Sequence, residues 1–217
     1  MRTEPSRPPP ARASYRHGDL RRALLDAGIE LARGGGPEAV VLREATRRAG
    51  VVPNAAYRHY ASRLDLLREV RAAALSSVAA AMEEELAMLP AKGKPADLAR
   101  AGLRAVGTGY LRFARAETGL FRTAFFAEPQ VFAALAAGPA AGGPGGLNPF
   151  QLLGAALDRM VAAGVLPTAR RQGAEFLAWA AVHGLALLMI DGPLRAMPDN
   201  QAGVLGQRLL DMVEKGL

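Results

Sequence analysis

Residues 47–67 read RRAGVVPNAAYRHYASRLDLL. Gly50, able to take the left-handed backbone that ends helices, stops a short helix that begins near Leu42. Pro53 then suits the first turn of a new helix, where its missing N–H would have had no partner, and that helix is expected to run to about Tyr60. Two short helices joined by a tight glycine-containing turn make a helix-turn-helix, which lays the N-terminal end of its second helix in a DNA major groove. Ser62 followed three residues later by Asp65 approximates a capping box and opens a long helix to about Leu89, ahead of Pro90.

Upstream, Leu20, Leu24, Ala27 and Leu31 recur at helical spacing until Gly34-Gly35-Gly36-Pro37 breaks the pattern, giving a first helix over about 19–33. Downstream, helices are expected at 97–116, 119–126 and 129–137, with AAGPAAGGPGG (136–146) as a loop. Asn148-Pro149 caps and opens a helix to about Gly164. Thr168 is expected to cap another that continues through Trp179 to Ile190, and Asp199 to start the last, ending near Lys215. Ala and Leu abound, β-branched residues are scarce, and no strand pattern occurs. The fold class is therefore all-α, with about nine or ten helices: a basic arm (1–18), a helix-turn-helix head (19–65) and a larger helical bundle (66–217) for ligand binding and dimerisation.

The 217 residues carry a formal charge of +7 and a sequence pI near 10.5, and residues 1–70 hold +5 of that excess. A basic excess beside the helix-turn-helix points to a polyanionic partner, double-stranded DNA. With no cysteine and three scattered histidines, thiol chemistry is excluded and neither a metal nor a cofactor is expected. The proline-rich arm lacks the apolar core of a secretory signal. The longest nearly apolar run, Leu177–Ile190, spans 14 residues, too short for a bilayer, so a cytoplasmic protein without a membrane partner is expected.

In the second helix of the head, Asn54 suits bidentate pairing with adenine and Arg58 with guanine, while Tyr57 and His59 can donate to phosphates. Arg43, Arg47, Arg48 and Arg63 flank it as candidate phosphate contacts. Tyr57 has a second reading as a half-buried aromatic of the head's core, and Arg58 as a merely solvated side chain. From Ala39 to Leu67 the chain resembles the TetR family of transcriptional regulators, through Ala49-Gly50-Val51, Tyr57-Arg58-His59-Tyr60, Ser62-Arg63 and Leu66-Leu67. The resemblance implies that Tyr57, His59 and Arg63 touch the DNA backbone and that Arg43, Asn54 and Arg58 lie at or near the bases. Val41 stands where a capping Thr is usual in that family, Val52 replaces the usual Ser, and Ala56 a bulkier core residue.

Readers of this kind act as two-fold dimers on palindromic sites. LAWAAVHGLALLMI is apolar nearly all round, and Val204, Leu205, Leu209, Leu210, Met212 and Val213 form a stripe, so the last two helices are expected to pair copies, with Ala202 and Gly206 permitting close approach. The same residues can instead face an internal core. Trp179, His183, Gly184 and Asp191-Gly192 resemble a TetR C-terminal variant named for Trp-His-Gly. Trp179 and His183 lie four apart on one helical face, either as a satisfied core pair or as a pocket wall. With Phe113, Phe125, Phe150, Met160 and Phe176 they are the candidate contacts for a small hydrophobic or aromatic effector; Phe121 and Phe126 belong to the same inventory. The expected role is a repressor released by that effector. A rival reading makes His183 with Asp191 or Glu175 a base near Ser76 or Thr123, but no nucleophile elbow, phosphate loop or HExxH supports an enzyme.

Overall fold

The computed structural model describes residues 17–126 and 142–217. Among them are ten α-helices, one single-turn 3-10 helix and no strand. The expected helix at 129–137 and most of the arm and of the 136–146 loop lie outside the described residues.

The first helix, α1 (His17–Gly35), buries Leu24, Ala27 and Leu31 and ends at Gly36, whose φ of 72° is the left-handed turn that glycine takes without strain. A 3-10 turn (Pro37–Ala39) leads to α2 (Leu42–Arg48), which stops at Gly50 with φ 69°. The next helix, α3 (Pro53–Ala56), is one turn long rather than reaching Tyr60. Its last turn is carried by the amides of His59 and Tyr60, which both donate to the Ala56 carbonyl at 2.9 Å. Burial of Ala56 and Tyr60 holds so short an element in place, because a single turn has no stability of its own.

Ser62 caps α4 (Arg63–Ala87), accepting from the Asp65 amide at 3.2 Å. At 25 residues α4 is roughly 38 Å long, and it packs against α1 at one end and most extensively against α5 (Pro95–Ala116) beyond it. Gly109 marks the closest approach of this pair: a methyl there would lie 2.6 Å from Met82 Cα and closer still to the Ala81 carbonyl oxygen. A second close approach joins α6 (Thr118–Ala124) to the end of α1, where a methyl on Gly119 would sit 2.8 Å from the Arg33 carbonyl carbon. Arg33 Nε donates to Glu117 at 2.9 Å across the same junction.

Asn148 opens α7 (Pro149–Ala162) with a complete capping box: its side chain accepts from the Gln151 amide and its own amide donates to Gln151 Oε1, both at 2.9 Å. The continuous helix expected from Thr168 to Ile190 is divided. Thr168 is the first residue of a one-turn helix, α8 (Thr168–Arg171), behind Pro167, and Gly173 at φ 78° separates it from α9 (Ala174–Ile190). An arginine of α8 ties the corner together, Arg171 donating to Asp158 and to Glu175, each at 2.7 Å.

The last helix, α10 (Asp199–Gly216), turns Ala202, Gly206, Leu210 and Val213 inward against α5 and leaves Val204 and Met212 exposed. Ala202 and Gly206 thus serve packing inside the protomer, correcting their assignment to the pairing surface; a methyl on Gly206 would meet Leu111 Cδ1 at 3.2 Å. No helix of the described residues is long and apolar enough to cross a membrane.

Candidate DNA-reading head and effector cavity

In the head, Arg43, Asn54, Tyr57 and Arg58 are all exposed around the start of α3, and His59 is half-buried. Tyr57, at 60 % exposure, is no core aromatic; that place is taken by Tyr60, at 1 %. The Tyr60 hydroxyl donates to Glu69 Oε2 at 2.7 Å, and the Arg21 guanidinium pairs with Glu69 and sits 5.6 Å over the Tyr60 ring. Burial, with Glu69 beside it, raises the Tyr60 pKa, so the hydroxyl stays a donor. This three-residue tie joins α1, the end of the reading segment and α4.

The flanking arginines differ in what they touch. Glu44 accepts from Arg47 at 2.9 and 2.5 Å and lies 3.5 Å from Arg48, and the bond from Arg47 holds its carboxyl below the usual range. Arg63 turns inward: Nε donates to the Val40 carbonyl at 2.7 Å and Nη2 to that of Pro37 at 2.6 Å. It therefore secures the turn ahead of α2 and sets where that helix starts.

Both helices of the motif begin without a side-chain cap, because the N-cap positions are Val41 and Val52. Val41→Thr and Val52→Ser each supply a hydroxyl to an orphan amide and are expected to raise stability by about 1 kcal/mol, read as a higher urea midpoint at constant slope. A midpoint that does not move would show those amides to be satisfied already.

In the body, a cavity of about 40 Å³ lies between α4, α5, α7, α9 and α10. Among the described residues its wall is Met82, Leu103, Val106, Tyr110, Phe125, Phe150, Leu153, Trp179, Val182, Leu210 and Val213 with their small neighbours, plus one charged residue, Arg104. Ligand clefts commonly hold about 300–1,000 Å³, so an occupant must push this wall apart. Of the expected effector contacts, Phe125, Phe150 and Trp179 line the space. Phe113 and Met160 are buried but do not line this space, and Phe176 is an exposed ring tilted against Phe150 with centroids 5.5 Å apart. His183 stands one shell back.

Sequence reasoning missed Tyr110, which organises this cluster. Its hydroxyl accepts from Trp179 Nε1 at 3.2 Å and meets His183 Nδ1 at 2.8 Å, where a neutral imidazole lets it donate. Phe121 packs edge-on to Tyr110 at 5.2 Å, and Phe125 lies 5.1 Å from His183. Available signals were the stripe Leu103, Val106, Tyr110, Phe113 on one face of α5 and the demand of a buried Trp N–H for an acceptor.

Burial lowers the His183 pKa below the ordinary histidine range. The unfolded chain then binds a proton that the folded chain refuses, so the contribution of neutral His183 is complete above the unfolded pKa of 6.5 and declines as pH falls from there through the folded value. The unfolding midpoint is expected to fall between pH 7 and pH 5, and His183→Gln to flatten that fall; equal slopes would refute the assignment.

The groups of the enzymatic reading are dispersed. Asp191 pairs with Arg122, Glu175 with Arg171, the Ser76 hydroxyl donates to the Gly142 carbonyl at 2.6 Å, and that of Thr123 to Gly119 at 2.8 Å. Among the described residues no three potential metal ligands cluster.

A helix-turn-helix joined by one long helix to a helical body with an apolar cavity defines a ligand-binding transcriptional regulator. Residues 103–213, more than half the chain, match the family model described as the tetracyclin repressor-like C-terminal domain, and residues 24–70 match that of the bacterial regulatory proteins of the tetR family. The chain belongs to the TetR family. No curated protein gives a significant sequence match. Among solved structures, a protein of unknown function from Rhodococcus sp. RHA1 is similar over 95 % of this chain and 99 % of its own at 25 % identity, with a TM-score of 0.71. FadR from Bacillus subtilis, solved with stearoyl-CoA, shares the fold over 90 % of this chain and 98 % of its own at 13 % identity and a TM-score of 0.65. The TetR family regulator PfmR from Thermus thermophilus shares it over 89 % and 98 %, at 21 % identity and a TM-score of 0.57.

Proposed function

We propose that the chain is a cytoplasmic repressor that binds a palindromic operator as a homodimer and is released by a small hydrophobic or aromatic effector. Residues 19–65 form the DNA-binding head and 66–217 the effector-binding and dimerisation part. One observation carries this reading: α4, capped at Ser62 beside the DNA-reading turn, also supplies Met82 to the cavity wall. A wall too tight for a ligand must move to admit one, and here part of that wall is the helix that aims the head. Effector binding then shifts the population toward dimers whose heads no longer match half-sites about 34–36 Å apart. The coupling is reciprocal, so operator weakens effector binding by the factor by which effector weakens operator binding.

Pairing through α9 and α10 is supported by the apolar side chains that α9 leaves outside: Leu177, Leu187 and Leu188 stay exposed although the helix already buries Ala178, Val182, Leu185, Met189 and Ile190 on its inward side. Leucines left in water on a helix whose other side is already packed fit a helix that faces a second surface.

In the head, Asn54 and Arg58 read base edges with Arg43 beside them, Tyr57 and His59 hold phosphates, and Arg63 acts through the turn it secures. A genomic selection with purified protein, followed by anisotropy on the recovered duplex at two salt concentrations, tests this. Tyr57→Ala is expected to weaken all sequences alike, whereas Asn54→Ala relaxes one position of each half-site by about 1–3 kcal/mol. Indifference of the wild-type chain to duplex at low salt would overturn the reading.

A further inference from the structure

Among the described residues the cavity wall is apolar except at Arg104. Arg104, the one charged residue of that wall among the described residues, precedes Tyr110 on α5 by six residues, a backbone rise of about 9 Å along the helix axis. Glu214 on α10, its side chain 3 % exposed, holds Arg104 in position by accepting from Nε at 2.5 Å, and accepts from Arg100 Nη1 at 2.8 Å. Burial pushes the Glu214 carboxyl up, but the two guanidiniums outweigh it and keep the group ionised. The second partner of Arg104 is of another kind: Asp211 reaches Nη2 at 3.2 Å from a side chain 43 % exposed. A guanidinium fixed by one buried carboxylate and touched by one solvated carboxylate has a place that a third carboxylate can take, because Asp211 is rehydrated at little loss when it leaves.

We infer that the effector is an amphiphilic monoanion, an apolar or aromatic body toward Tyr110, Phe125 and Trp179 with a carboxylate that replaces Asp211 on Arg104. This rests on the cavity being the effector site, as proposed above. A cationic head meets Arg104 and Arg100 with Glu214 already taken by both. A neutral head gains no ionic contact there and leaves the Asp211 pair in place.

Trp179 is the chain's only tryptophan and stands in the wall, so its emission reports occupancy directly. Octanoate, octanol and octylamine, which share a tail and differ in head charge, are titrated against the full chain, with calorimetry as a second readout. Octanoate is expected to bind at least tenfold more tightly than octanol and octylamine. Arg104→Gln removes that advantage and leaves octanol unchanged, with the thermal midpoint confirming the fold. Asp211→Asn, at a solvated position, tightens octanoate severalfold without affecting octanol, a gain that a purely structural ion pair does not produce. Equal binding of octanoate and octanol, tighter binding of octylamine, or an unchanged preference in Arg104→Gln would overturn the inference while leaving the cavity a ligand site. Binding of none of the three would remove the cavity reading itself, and this inference with it.

Discussion

Phe121→Ala is expected to lower the stability of the folded chain by about 3–5 kcal/mol, among the largest losses that one side chain of this protein can cause. Phe121 is fully buried, with Tyr110 at 5.2 Å, Phe125 at 4.8 Å and His183 at 5.8 Å, so its removal leaves a hole under three rings that are held by one another. For a chain of this size the loss amounts to roughly 6–20 °C in melting midpoint. Phe121→Leu, which keeps most of the volume, should fall well short of that. Phe125 belongs to the cavity wall, so the hole also loosens the site. A denaturation midpoint within 1 kcal/mol of wild type at unchanged slope would mean that the surrounding rings collapse freely, contrary to the packing described here.

Gly109→Val is the second large effect. In most helix interiors replacing glycine by a better helix former helps, by up to about 1 kcal/mol. Here the new Cβ meets Met82 Cα and the Ala81 carbonyl, which are backbone atoms of α4 and cannot rotate away. The two helices must separate along their most extensive contact, at a cost of about 3 kcal/mol or more. Met82 also lines the cavity, so a variant that still folds should carry its head displaced and bind operator weakly in the absence of any effector. Undiminished stability together with unchanged operator binding would show that α4 and α5 are not locked where they cross.

Elements were legible where local chemistry marks them. Gly36, Gly50, Pro53, Ser62 and the Asn148-Pro149 pair each have one backbone role, and each performs it. The break at Gly173 was missed because Thr168 already offered a plausible helix start and the residues between are good helix formers. The inward face of α9 was illegible for another reason: a helix apolar all round has no periodicity to say which side is buried. That is why Phe176 was placed in the cavity and stands outside it. On α10 Gly206 was visible but its partner was not, since Leu111 stands on α5, far earlier in the chain. Tyr110 was missed because its importance comes from Trp179 and His183, which reach it only after folding. The exposure of Arg43, Asn54 and Arg58 around α3 was the easiest to foresee, because it follows from the same turn that marks the motif.

The outward side of α9 and α10 has a consequence for handling the protein. A solitary protomer gives Leu177, Leu187, Leu188, Val204 and Met212 to water, so on the pairing reading the folded state is coupled to association by mass action. Heat resistance should then climb as the sample is concentrated. Dilution would weaken operator recognition and thermal endurance together, and any small molecule favouring the paired form would act as a stabiliser whether or not it enters the interior.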